Sequence, residues 1–192
     1  RYMTLTIAPG GVGKSAFTML EALSIVTGKP YTHFKVKKQC NVLVYNAEDP
    51  EDEMHARLNA LMEKHNENPN EHDYQVHCIS GRKHKLILAK ENKGAYAANY
   101  KAVKVLEKTI VKNDIGLLIM DPFVKFHELD ENCNSSIDSL TNLIGQIMER
   151  IPGLCVSVVH HTRKGATPGD PDTTRGASAL NCAARINYTV YP

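Results

Sequence analysis

Residues 8 to 15, APGGVGKS, lie between an apolar run, MTLTI, and a helix-like segment, AFTMLEALSIVTG. Few octapeptides constrain a fold as tightly. Gly10, Gly11 and Gly13 permit backbone conformations closed to other residues, so that successive N–H groups can converge on one anion. Lys14 adds a compact cation, Ser15 a hydroxyl for a divalent metal, and the helix that follows adds its partially positive amino terminus. Strand, glycine-rich loop and helix in this order form a cradle for phosphate. Pro9, Gly10, Gly11, Val12, Gly13, Lys14, Ser15 and Ala16 are therefore the candidate nucleotide-binding residues. Ala8 stands where the pattern usually has glycine, at a position still inside the strand. The competing explanation is a glycine-rich turn ahead of a helix, and the flanking strand and helix disfavour it.

Strands and helices alternate along the rest of the chain. MTLTIA (3–8), NVLVYN (41–46), YQVHCI (74–79), IGLLIMD (115–121), LCVSVVHH (154–161) and RINYTV (185–190) read as strands. Helices are expected over Ser15 to Val26, from Glu51 with Met54, Leu58, Leu61 and Met62 on one face, over Ala97 to Val111, over Ile137 to Ile151, and over RGASALNCAA. In the first of these, Phe17, Leu20, Leu23 and Ile25 recur at helical spacing. Continuous apolar strands alternating with helices predict an α/β domain, its twisted sheet largely parallel and covered by helices on both faces. In such folds ligands gather outside the carboxyl ends of the strands. The residues that end these strands are polar: Asn46, Glu48 and Asp49 after the second, Asp121 at the fourth, His160 and His161 at the fifth.

The 192 residues are 42% hydrophobic and 23% charged, with a formal net charge of +2, which fits one globular domain with a full core. No stretch approaches the ~20 apolar residues of a membrane span, and the amino end lacks a signal-peptide pattern. The expectation is a cytoplasmic protein with no membrane partner. The near-neutral charge supplies no global pull on nucleic acid, so contacts there need local basic patches. Five cysteines without a C-x-x-C pair favour neither a disulfide framework nor structural zinc, and read as buried or incidental thiols. The chain opens on Arg1 directly in a strand-like run and stops at Pro192 after another, the pattern of a single domain excised from a longer protein.

Asp121, at the end of an apolar strand, is placed to serve the magnesium ion together with Ser15; the alternative is an Asp that starts the Asp-Pro turn. Of the two acids in YNAEDP, Asp49 precedes Pro50 and is placed to cap the next helix. That leaves Glu48 to polarise water. His160 and His161 point to opposite faces of a strand, so they cannot chelate zinc together.

APGGVGKS, YNAEDPEDEMHARLNAL, LLIMDPFVKFHELDEN, VVHHTRKG and TRGASAL, in this order, resemble the RepA-type, RecA-like ATPases of plasmid and phage replication, relatives of DnaB-type hexameric helicases. The resemblance runs over about residues 3 to 190 and is weakest at 80–115. It implies a RecA-like P-loop NTPase core that takes ATP and magnesium and assembles as a homo-oligomeric, hexameric ring on single-stranded DNA. It implies Lys14 and Ser15 on phosphate and magnesium, Glu48 as catalytic base, Asp121 as Walker B acid, and His161 as the sensor of the γ-phosphate. Arg185 matches a finger that reaches into a neighbouring subunit, and His160 a packing residue. The loop RKGATPGDPDTT (163–174) corresponds to a DNA-contacting loop through Arg163 and Lys164, or is a solvated connection. GRKHKLILAK (81–90) is a second basic segment, either a nucleic-acid contact or a charged surface hairpin. Two alternatives to a motor remain: an ATP-controlled regulatory or DNA-binding module with slow hydrolysis, and a P-loop kinase. A kinase does not explain a water-activating Glu48.

Overall fold

The computed structural model describes residues 2–32, 34–162 and 178–190. Arg163, Lys164 and the rest of the 163–174 loop lie outside the described residues, as does the start of the RGASALNCAA segment. The central sheet is built from β1 (Met3–Ala8), β2 (Asn41–Asn46), β3 (Val76–Ser80), β6 (Ile115–Asp121), β8 (Cys155–His161) and β9 (Ile186–Thr189). Its order is β3-β2-β6-β8-β1-β9, and every neighbouring pair is parallel. Parallel pairing needs crossovers, and these are the helices α1 (Lys14–Thr27), α2 (Glu51–Lys64), α3 (Tyr100–Lys112), α4 (Asn134–Arg150) and α5 (Ser178–Ala183).

The period-2 alternation of the strands divides the core into two layers. Val42, Val44, Leu117, Ile119 and Val159 face α1 and α2, meeting Met19, Ala22, Leu23, Val26 and Met54. Leu43, Tyr45, Leu118, Met120, Val156 and Val158 face the other side, meeting Val103, Leu106 and Ile110 of α3 and Ile137, Leu140, Leu143, Ile144 and Ile147 of α4. Leu58, Leu61 and Met62 pack beside Met54, as their spacing predicts. The inward face of α1 is Met19, Ala22, Leu23 and Val26, whereas Phe17 and Leu20 are only half-buried, so the expected face is displaced. This helix is apolar nearly all round, and its periodicity cannot choose a side.

Residues 80–128 hold a unit with no counterpart in the sequence reading. The strands β4 (Ala89–Asn92), β5 (Ala95–Ala98) and β7 (His127–Glu128) form a second sheet in the order β5-β4-β7. Its hairpin turns at Lys93 and Gly94, both with left-handed φ, so the hairpin falls later in the chain than residues 81–90. Leu86 and Leu88 of that basic segment are buried and join Phe123 and Phe126 in the core. The early end of the expected third helix is this strand β5, and α3 starts only at Tyr100. The cysteines are all free, but none is buried: four are half-buried and Cys182 is exposed.

Candidate active site

The loop after β1 carries Gly11 at φ 79° and Gly13 at φ 90°, the left-handed conformations that glycine tolerates without strain. Gly13 opens α1, and the Gly13 carbonyl accepts the first helical bond from the Phe17 N–H at 2.9 Å. Among the described residues no side chain caps this end, and no acid lies in its first turn, so its N–H groups are left for an anion. Gly10, Gly11, Gly13 and Ala16 are exposed, Pro9, Val12 and Ser15 half-buried, and Lys14 is buried.

Lys14 folds back across the loop, its Nζ donating to the Pro9 carbonyl at 2.7 Å and the Ala8 carbonyl at 3.3 Å. Burial lowers its pKa, and the negative charges of Asp121 and Glu48 work in the opposite direction. The loop is thereby tied to the far side of the site: Ser15 Oγ donates to Asp121 Oδ2 at 2.8 Å, across 106 positions of sequence. Burial raises the Asp121 pKa, opposed by the Ser15 hydrogen bond, while Glu48 pushes it further up. A hydroxyl and a buried carboxylate side by side are hard oxygen donors, a set that suits magnesium completed by phosphate and water oxygens. Among the described residues no group of three or more His, Cys, Asp or Glu side chains is placed to hold a metal by itself.

Asn46 stands level with Asp121 across the β2–β6 pair, and the Asp121 carbonyl accepts from Ala47 N–H at 2.7 Å. The Asn46 side chain organises the turn that follows. Its Oδ1 accepts from the Glu48 and Asp49 N–H groups, each at 2.8 Å, and its Nδ2 donates to Asp49 Oδ2 at 3.1 Å. Asp49 also accepts from Arg57 on α2. The expected capping role of Asp49 is therefore not what the fold uses: Pro50 is the N-cap of α2, and no side chain caps it. Glu48 is exposed, and its carboxylate makes no hydrogen bond or ion pair among the described residues. Sequence reasoning gave Asn46 no role, although an Asn two residues before an acidic pair is the signature of an Asx turn. Gly81 completes the support, because a Cβ there would meet Ala47 Cα at 2.8 Å. Only glycine lets the β3 end approach the Glu48 turn this closely.

His161 lies level with Ala8 on β8 and is half-buried. By alternation it shares the sheet face of Val159, the face from which Asn46 and Asp121 also project. His160 projects from the opposite face, buried, edge-on to Phe123 with ring centroids 6.2 Å apart and 3.7 Å from Glu131. Its neighbour His127 is held to a pKa of about 4 by burial and by His160.

Arg185 is the candidate that the fold does not bring to this edge. It immediately precedes β9, at the amino end of the parallel sheet, and its backbone N–H donates to the Met3 carbonyl at 2.9 Å. Its guanidinium is exposed and lies over the Tyr2 ring, 5.8 Å from the centroid. A cavity of about 430 Å³ lined by Tyr45, Cys78, Leu86 and Leu106 lies outside the nucleotide edge, towards α3. No helix among the described residues is long and apolar enough to cross a membrane.

Phosphate loop, buried lysine, Ser–Asp pair and an unengaged carboxylate lie together at the carboxyl edge of a parallel sheet, the kinds of group that a nucleoside triphosphate site requires. No curated protein matches the sequence significantly. A family model described as an AAA domain matches residues 1–167, which include all of these groups, while Arg185 lies beyond the match. By that match and by its sheet, this chain belongs to the AAA-domain family and has the fold of a P-loop ATPase.

Proposed function

We propose that this domain is the motor core of an oligomeric, RecA-like ATPase of the replicative-helicase type, which hydrolyses ATP with magnesium and acts on single-stranded DNA. The observation that carries the hydrolytic part is Glu48. It is exposed at the sheet edge, its backbone is fixed by Asn46, its carboxylate is committed to no partner among the described residues, and its charge acts on Lys14 and Asp121. A carboxylate so held can orient and deprotonate an attacking water, a part that a kinase does not need. Lys14 releases the loop carbonyls and turns to the phosphates, where it offsets the charge of the transferred group. Ser15 and Asp121 would hold the magnesium, which when bound would neutralise charge on the phosphate oxygens. His161, on the same face, is the reading's γ-phosphate sensor.

Arg185 supports an oligomer. Standing at the amino edge of the sheet, it is remote from its own phosphate loop and free to enter a neighbour's site. The whole chain is taken as one ATPase domain of a cytoplasmic, ring-forming protein. Hydrolysis of ATP measured with and without single-stranded DNA tests the proposal. DNA-stimulated release of phosphate is expected. Slow turnover indifferent to DNA would replace the motor by an ATP-controlled regulatory module, and phosphoryl transfer to an added acceptor would replace it by a kinase.

A further inference from the structure

We propose that the outer face of α3 is a docking surface for the phosphate backbone of duplex DNA, separate from the nucleotide edge. Lys101, Lys104, Lys108 and Lys112 follow one another at spacings of three, four and four residues, which puts all four on one stripe of the helix. All four are exposed. None makes an ion pair among the described residues, whereas Lys83 and Lys85 nearby are engaged by Glu51 and Glu128. The one acid of the helix, Glu107, accepts instead from Arg150 on α4 at 2.7 Å. The stripe therefore carries four like charges at helical spacing with no ion pair among the described residues, only Lys112 being favoured by the carboxyl end of the helix.

The surroundings extend the field. Residues 82–112 contain nine Lys and Arg against two Glu, a net +7, so the rest of a chain whose total is +2 carries −5. Lys83 and Lys85 are offset by Glu51 and Glu128 outside the segment, which leaves it a net +5, and α3 packs on the side of the sheet opposite α1 and α2. Eleven residues of α-helix span about 16 Å, and duplex DNA presents one charge per about 1.7 Å of its axis, so a straight row of four ammonium groups meets ample phosphate. An anionic membrane is the other polyanion to weigh. It is disfavoured because the apolar face that would enter lipid, Val103, Leu106 and Ile110, is buried in the core, and Tyr100, Val105 and Val111, exposed among the lysines, form no comparable apolar face.

Fluorescence anisotropy of a labelled 20-base-pair duplex, titrated with the full chain without nucleotide from 50 to 200 mM salt, tests the proposal. Each phosphate contact adds about 0.9 to the salt slope of the affinity, so Lys101→Gln, Lys104→Gln, Lys108→Gln and Lys112→Gln combined should cut the slope by 3 to 4 and weaken binding at 50 mM salt at least tenfold. Lys104→Gln with Lys108→Gln alone should cut it by about 2, which covers a loss of folding in the larger variant. Equal affinity and slope in native and variant proteins would overturn the inference. Binding to phosphatidylserine vesicles without binding to the duplex would overturn it in favour of a membrane. Because no ATP is present, lysine-dependent binding can stand even if DNA-stimulated hydrolysis fails.

Discussion

Glu21 sits on the helix that carries the phosphate loop, and its Oε2 is shielded from solvent with no hydrogen-bond partner among the described residues. Burial pushes its pKa from 4.5 up to about 7, and its charge in turn helps raise that of Tyr188, after burial of that phenol. The folded protein therefore holds the proton more tightly than the unfolded chain does. Stability is full below pH 4.5, falls as the pH rises towards 7, and then levels off. At 1.36 kcal/mol per pKa unit the whole effect is about 3 kcal/mol, with less than about 1 kcal/mol of it already lost at pH 5. Glu21→Gln is isosteric with the protonated acid, so the variant should keep at every pH the stability that the native protein has only in acid. Urea unfolding at pH 5 and pH 8 reads the difference: a variant more stable by less than about 1 kcal/mol at pH 5 and by about 3 kcal/mol at pH 8. A variant no more stable than the native protein at pH 8 would show that Glu21 ionises at no cost, and the argument from its burial would be wrong.

Two further experiments address the site. Glu48→Gln keeps the shape of the side chain and removes its basicity, so ATP should still bind while steady-state turnover falls by ~10²-fold or more. Asp49→Asn should leave turnover nearly intact and cost about 1 kcal/mol or less in thermal unfolding through its half-exposed pair with Arg57; reversed effects would mean that the other acid acts on water. Lys14→Ala should abolish nucleotide binding, and Arg185→Ala should keep binding but lose turnover. Co-assembled, the two inactive variants should regain part of the ATPase activity, and no regain at any ratio despite demonstrated co-assembly would end the trans role of Arg185.

The octapeptide at the first strand determined the phosphate loop by itself because its requirements are local: left-handed glycines, a lysine and a serine, all within one turn and the start of one helix. The alternation of apolar strands with helices likewise settled the parallel sheet, since buried strands read as continuous apolar runs whatever they pair with. Tertiary structure decided what depends on partners distant in sequence. Ser15 meets Asp121 only because β6 lies in the sheet between β2 and β8, and Asp49 is occupied only because α2 returns Arg57 to it. The sequence pointed to Glu48 as the unengaged acid through a capping role for Asp49 that the fold does not use; what occupies Asp49 is Asn46 and Arg57. The inward face of α1 was misplaced for a related reason: Phe17, Leu20, Leu23 and Ile25 were expected to face the core, but a helix with apolar residues on most sides does not fix its inward face by its own periodicity. Arg185 shows the limit most plainly. Its sequence says that it adjoins a strand, and only the parallel direction of β9 beside β1 puts it at the amino edge, away from its own phosphate loop.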